Sequence, residues 1–346
     1  MAHLSHLNDI VSRPPPYTQI AQTPTPLQQL KRVSSELNGP RIWIKRDDLT
    51  GSGLSGNKVR KLEFVIAQAI ADGCDTLITC GGVQSNHCRA TALAAARLGL
   101  KVKLVLRNDL GDKLNADGNL FLDFLAGAEV NIFPPREYRK RLDHLLIDQK
   151  TLTDEAGGKG FIIPTGASDE IGIWGYINAS YELQKNCESF GFEPASIVVA
   201  TGSGGTQAGL TAGIHLCGMG TEVLGIAVCD DEQYFKRKVS SDIKKWQQRY
   251  NIQKAIPAEK VRVNDHYIGP GYAKAEKEVF DTISWLTQNE GIVLDPVYTG
   301  KAFHGLVKEI QRGSFRKGDD IVFVHTGGIF GLMAQRHSFG FEHKVL

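Results

Sequence analysis

Apolar and polar positions along this 346-residue chain switch repeatedly between two periods. Alternating or continuously apolar runs, the mark of strands, are followed by stretches whose apolar residues recur every three to four positions, the mark of helices. Arg41-Ile-Trp-Ile-Lys45 predicts a strand, as do Thr76–Cys80, Lys101–Leu106, Glu129–Phe133 and Gly160–Pro164. Helices are expected over Asn86–Leu98, Asn119–Leu125 and Arg136–Glu155. An earlier helix, starting at Asn57-Lys58, has Val59, Leu62, Val65, Ile66, Ala69 and Ile70 on its apolar face. From Ser168 the pattern resumes with helix Ile171–Lys185, strand Ala195–Ala200, helix Thr206–Leu216, strand Glu222–Val228 and helix Glu232–Tyr250. A short strand at Val261–Val263, helices Ala273–Gln288 and Lys301–Gln311 and strand Asp320–His325 complete it. Such alternation predicts an α/β fold of mostly parallel, twisted sheets with helices on both faces. Residues 1–24 read as an extended proline-rich arm, and Thr25-Pro26-Leu27 as a helix start, with Thr25 the cap and Pro26 in the first turn.

Composition narrows the function classes. The chain is 42% hydrophobic and 23% charged with a net charge of +2, so no polyanionic partner such as nucleic acid is expected. The basic stretch Lys236–Lys245 is offset by Asp230, Asp231, Glu232 and Asp242 and reads as a solvated helix face. Six cysteines lack metal-ligand spacing; they read as buried free thiols in a reducing compartment, with no metal site. The N-terminus carries His3, His6 and Asp9 ahead of Pro14-Pro-Pro16, with no signal-like apolar core, and no run approaches a membrane span. The expectation is a cytoplasmic protein with no membrane partner.

Three loops carry candidate chemistry. Gly51-Ser-Gly-Leu-Ser-Gly-Asn-Lys58 places a lysine in the first turn of a helix. The positive end of the helix dipole disfavours the ammonium there and favours the neutral amine that attacks carbonyls. Val198-Val-Ala-Thr-Gly-Ser-Gly-Gly-Thr-Gln-Ala-Gly209 runs from a strand through a glycine loop into a helix, aiming backbone N–H groups at one point, which suits a phosphate. It lacks the Gly-Lys-Ser/Thr of a Walker loop, and its glycine spacing fits a dinucleotide fingerprint poorly. Gly81-Gly-Val-Gln-Ser-Asn-His-Cys88 offers Ser85 as a helix cap and free N–H groups for a carboxylate, with Asn86 able to reach a ring oxygen. An imine-forming lysine, a phosphate cup and a carboxylate cup together describe pyridoxal phosphate acting on a small amino-acid substrate. A phosphate-ligand sensor or a dehydrogenase using the 201–209 loop is the competitor from another class.

These motifs, with Gly56-Asn-Lys-Val-Arg-Lys-Leu-Glu63 and Leu294-Asp-Pro-Val-Tyr-Thr-Gly-Lys301, occur in an order that resembles the D-cysteine desulfhydrase and 1-aminocyclopropane-1-carboxylate (ACC) deaminase family, from about Thr25 to Gly331. The resemblance implies the two-domain tryptophan-synthase-β-like fold (fold type II). A large cofactor-binding domain would comprise residues 1–58 and 168–346, and a small α/β domain residues 59–167. It implies Lys58 as the Schiff-base lysine, Ser203, Gly204, Gly205 and Thr206 at the cofactor phosphate, and Asn86 at the ring oxygen. Ser85, Asn86 and His87 would bind the substrate carboxylate. Tyr272 and Tyr298 would flank the substrate, and Lys58, Ser85, Tyr272 and Tyr298 form the catalytic set. A homodimer is expected on the same ground.

One position departs from the ACC deaminase pattern. Those enzymes carry a glutamate after the tyrosine of Asp-Pro-Val-Tyr, where this chain has Thr299. A carboxylate beside the pyridine nitrogen keeps it protonated and the ring a strong electron sink, which ring opening demands. A hydroxyl leaves a weaker sink, suited to removing an α-proton and then losing a good leaving group. Thiolate qualifies, its parent thiol having a pKa of about 8.5. The resemblance therefore implies conversion of D-cysteine to pyruvate, hydrogen sulfide and ammonia. β-Chloro-D-alanine, D-serine, L-cysteine and L-cysteate remain competing substrates, and ACC follows them. His325-Thr-Gly-Gly328 is expected to close the site near the ring.

Overall fold

The computed structural model describes residues 7–111 and 114–341; His3 and His6 lie outside them. The elements run α1 (Leu7–Ile10), β1 (Leu27–Gln29), α2 (Lys31–Leu37), β2 (Arg41–Lys45), α3 (Asn57–Ala71), β3 (Thr76–Gly82), α4 (Asn86–Leu98) and β4 (Lys101–Arg107). Next come α5 (Gly118–Leu125), β5 (Glu129–Phe133), α6 (Pro135–Glu155), β6 (Gly160–Ile162), α7 (Trp174–Phe190), β7 (Ser196–Thr201), α8 (Gly205–Leu216) and β8 (Glu222–Ala227). The chain ends with α9 (Glu232–Tyr250), β9 (Arg262–Asn264), α10 (Lys277–Glu290), α11 (Thr299–Gln311), β10 (Asp320–Val324) and α12 (Ile329–Met333).

The strands form two sheets, one ordered β1-β2-β10-β7-β8-β9 and the other β5-β4-β3-β6. Among the described residues every pairing is parallel except β1 on β2. β3, β7 and β10 are buried at every position, which is why their sequences read as continuous apolar runs. The strand order reverses at β3, flanked by β4 and β6, and again at β7, flanked by β8 and β10. The loops leaving these two strands are the two cups singled out in the sequence. Crevices at such reversals are where parallel sheets bind ligands.

The expected helix start at Thr25-Pro26-Leu27 is wrong. Leu27–Gln29 pairs antiparallel with Trp43–Lys45, and the helix begins at Lys31. Thr25 is held elsewhere: its backbone N–H donates to Glu182 at 2.9 Å and its hydroxyl to Asp47 at 2.7 Å. Pro26 lacks only a donor, and its carbonyl accepts from the Arg46 N–H at 2.9 Å, so it sits at the sheet edge without loss. The helix expected from Ala273 starts at Lys277, because Ala273 has φ 59°, a left-handed conformation that no α-helix contains. The N-terminal arm is tethered, since Glu63 accepts from the N–H groups of Ile20 and Ala21 at 2.9 and 2.8 Å.

Helix α3 departs from a simple amphipathic reading. Ile70, counted on its apolar face, is 44% exposed, whereas Arg60, Lys61 and Glu63 are buried. The helix packs against both α7 and α4, so its polar residues are enclosed and need partners. Arg60 donates to Asp47 through Nε and Nη2 at 2.9 and 2.8 Å and to Glu182 through Nη1 at 2.9 Å. Lys45 donates to Glu182 at 2.6 Å, and the Tyr176 hydroxyl donates to Asp47 at 2.6 Å. This network clamps the first turns of α3 to the floor of the six-stranded sheet.

Candidate active site

Both cups open onto one cavity of about 360 Å³, within the range of small-molecule sites. Lys58, Ser85, Asn86, His87, Ser203, Gly204, Thr206, Tyr272 and Tyr298 line it, joined by Thr326 and Gly327 at the end of β10. Lys58 reaches it because the chain turns sharply into α3. Gly56 has φ 107°, and a Cβ there would lie 2.8 Å from the Thr326 carbonyl oxygen, so only glycine fits. Burial pushes the Lys58 amine down to about 8, the direction the helix-start argument requires. The amine lies against the glycine loop: a Cβ added to Gly166 would meet both the Lys58 Nζ at 3.2 Å and the Ser203 Oγ at 2.6 Å.

In the loop after β3, Ser85 caps α4 by accepting from the Cys88 N–H at 3.2 Å, leaving its own proton free to donate. Asn86 accepts through Oδ1 from Nδ2 of Asn119 at 2.9 Å. His87 differs from the expected carboxylate ligand. Its Nε2 lies 2.8 Å from the Thr79 hydroxyl, whose own proton goes to the Ile163 carbonyl at 2.8 Å, so Nε2 carries the hydrogen. Burial, with the charges of Lys58 and Lys61, pushes His87 well below its ordinary value. Its Nδ1 is a buried lone pair without a partner among the described residues. Such an imidazole cannot donate to a carboxylate through Nδ1, and what His87 can offer an anion is its backbone N–H at the helix start.

Around the glycine loop, Gly204 adopts φ 85° and starts α8, presenting the helix N-terminus to the cavity. Gly205 lies behind the wall; its N–H donates to the Ser168 hydroxyl at 3.3 Å. Ser168 and Ser203 share a hydrogen bond of 2.8 Å, and Asn57 Nδ2 donates to the Thr206 hydroxyl at 2.8 Å. Sequence reasoning missed Lys61, whose fully buried Nζ donates to Ser168 Oγ at 3.1 Å. Burial and the Lys58 charge push Lys61 well below the ordinary lysine value. The signal was available: Lys61 follows Lys58 at i+3 and shares its face.

Residues 18–327 match the model of the family described as "Pyridoxal-phosphate dependent enzyme". The chain belongs to that family. A Thermotoga maritima protein provisionally named an ACC deaminase is 44% identical over 315 residues, covering 90% of this chain and 96% of that one. The mitochondrial bifunctional D-cysteine desulfhydrase/ACC deaminase of Arabidopsis thaliana is 39% identical over 342 residues, covering 95% and 81%. The crystal structure of an ACC deaminase homologue superposes with a TM-score of 0.87 at 35% identity, covering 97% of this chain and 98% of that chain. Pyridoxal phosphate is thus the cofactor, and the cavity fits it. An amine whose hold on its proton is weakened by burial faces a helix N-terminus flanked by hydroxyls and a buried lysine, the donor set a phosphate and an aldehyde require.

The family resemblance put Thr299 at the ring, and the geometry turns its hydroxyl away. Thr299 is fully buried, donates to Asp295 Oδ1 at 2.7 Å and accepts from the Asp295 N–H at 2.8 Å; it does not line the cavity. The hydroxyls of Tyr272 and Tyr298 are 2.5 Å apart. Burial pushes Tyr272 up to about 12, and burial together with Tyr272 raises Tyr298 well above its ordinary value. Arg107, Tyr138, Arg139, Cys229 and Asp230 also line the cavity and were not singled out from sequence. The Arg107 guanidinium lies 5.4 Å from the Tyr272 ring and 5.5 Å from that of Tyr138. No helix among the described residues is long and apolar enough to cross a membrane.

Proposed function

We propose that this protein is a lyase that removes the α-proton and the β-substituent of an amino acid, with D-cysteine the leading substrate. D-Cysteine and water would give pyruvate, hydrogen sulfide and ammonia. The observation that carries the choice is at position 299. The hydroxyl there is bonded to Asp295, so the position brings no carboxylate to the cavity where the ACC deaminase pattern has a glutamate. Bound pyridoxal phosphate withdraws electrons from the substrate Cα and so acidifies its proton.

The remaining chemistry belongs to side chains. Ser85 and the N-terminus of α4 hold the carboxylate, which orients Cα toward Lys58. The Lys58 amine, its hold on a proton weakened by burial, removes the Cα proton when in its neutral form. Tyr272 and Tyr298 share a hydroxyl–hydroxyl contact at the cavity wall, and one of them delivers a proton to the departing sulfur. A second reading is L-cysteate with sulfite leaving. Arg107, held through Nε by Asp109 at 2.7 Å, supports it by putting a guanidinium beside the substrate space. The deciding experiment is a panel of D- and L-amino acids, including ACC and L-cysteate, assayed for keto acid. D-Cysteine should be fastest; equal rates on ACC and D-cysteine would contradict the weight placed on Thr299.

A further inference from the structure

Lys301 lies in the first turn of α11, three residues after Tyr298, yet its side chain points away from the cavity lining. It is 1% exposed. Its Nζ donates to the carbonyls of Ile268 at 2.6 Å, Gly271 at 2.7 Å and Val228 at 3.5 Å. An ammonium has three donors and no acceptor. Here all three meet backbone oxygens, and among the described residues no carboxylate ion-pairs with it. Burial lowers Lys301 to about 8, against the raising effect of Cys229, Asp295 and Glu276, so it is charged at neutral pH.

Those three carbonyls belong to two segments of the cavity wall. Val228 precedes Cys229 and Asp230, and the turn through Ile268 and Gly271 leads into Tyr272. The turn takes left-handed conformations at Gly269 and Gly271, where glycine allows them, and at Ala273, φ 59°, where a side chain is disfavoured. Carbonyl dipoles aimed at one point repel each other unless a cation lies between them, and hard cations take oxygen ligands of this kind. We propose that the carbonyls of Val228, Ile268 and Gly271 form a monovalent-cation site filled by the chain's own tethered ammonium, which fixes Tyr272 against Tyr298. Lys301 is then a positioning residue. The native protein needs no added cation, and removing the ammonium leaves an oxygen-lined site open to potassium or ammonium ion.

The test uses Lys301→Met in the full chain loaded with pyridoxal phosphate, in a buffer whose only other cation is tetramethylammonium. Turnover should fall about 10- to 100-fold, the usual cost of a misplaced active-site group, and potassium or ammonium chloride should restore most of it. The parent should be indifferent to the same salts. Thermal unfolding supplies an arm that needs no substrate, and so stands apart from the reading of the reaction: potassium or ammonium should raise the variant's midpoint and leave the parent's unchanged. A folded variant whose turnover and midpoint ignore every cation overturns the proposal, as does a parent stimulated by potassium. If the methionine variant does not fold, Lys301→Gln and the parent's own response to potassium decide in the same way.

Discussion

Asn119 donates its side-chain amide to Oδ1 of Asn86 at 2.9 Å, while its own Oδ1 accepts from Arg89 Nε at 3.2 Å. Arginine can only donate, so the atom of Asn119 facing it must be oxygen, and the nitrogen must face Asn86. Asn86 therefore presents oxygen to Asn119 and keeps its amide N–H for the cavity, where a phenolic ring oxygen needs a donor. Asn119→Asp keeps the acceptor for Arg89 but removes the donor to Asn86, freeing that amide to turn. Cofactor affinity should drop about tenfold, the worth of one well-made hydrogen bond. Fluorescence titration of apo protein with pyridoxal phosphate measures it; an unchanged affinity and visible spectrum would show that Asn86 is oriented by something else.

Lys58 has consequences for stability as well as chemistry. Its folded value, about 8, lies below the ordinary 10.5, so between those pH values the unfolded chain binds the proton more readily. Burial of Lys58 therefore opposes folding of the cofactor-free protein in full below about pH 8, and this cost fades as pH rises toward 10.5. Lys58→Met should make apo protein more stable than the parent at pH 7, with the difference shrinking by pH 10. Denaturant unfolding at both pH values provides the comparison, and a constant difference contradicts it.

Arg60 is the structural counterpart of Lys58 two residues earlier in the same helix. Replacing it by methionine leaves Asp47, fully buried, without a cationic partner, at a cost of about 3–5 kcal/mol. Asp47→Asn in the same chain should recover part of that loss, because the stranded charge is then gone. Urea unfolding of the single and double variants tests this, and additive losses would mean that the pair does not act as one unit.

Much of this was legible in the sequence, for a physical reason. Strands buried on both faces leave continuous apolar runs, so β3 and β7 were placed to within two residues. The glycine-rich departures from β3 and β7 marked the two cups. What failed depended on partners remote in sequence. Thr25 reads as a cap until Glu182 and Asp47 claim it, and His87 reads as a donor until Thr79 fixes its tautomer. Thr299 was placed at the ring by resemblance, and only the fold shows Asp295 holding its hydroxyl. Lys301 was read only as a motif residue at a helix start, since the backbone carbonyls it meets have no sequence signature.

Thr299→Glu tests the electronic argument and the packing together. A glutamate there would bring a second carboxylate beside Asp295 in a fully buried position, so stability should fall along with sulfide release. Sulfide release should drop about tenfold or more in a variant that still binds cofactor, because a carboxylate there displaces Asp295, which holds the Tyr298 N–H at 2.9 Å, and a misplaced active-site group costs at least that much. Release as fast as the parent's would remove position 299 from the account of substrate choice.

Borohydride reduction of the yellow holo protein, followed by peptide mapping that resolves Lys58 from Lys61, tests the assignment of the site most directly. Both amines are lowered by burial and both adjoin the glycine loop, so position alone separates them. The reduced cofactor should be found on Lys58, with Lys61 unlabelled. Label on Lys61, or on any other lysine, would contradict the account.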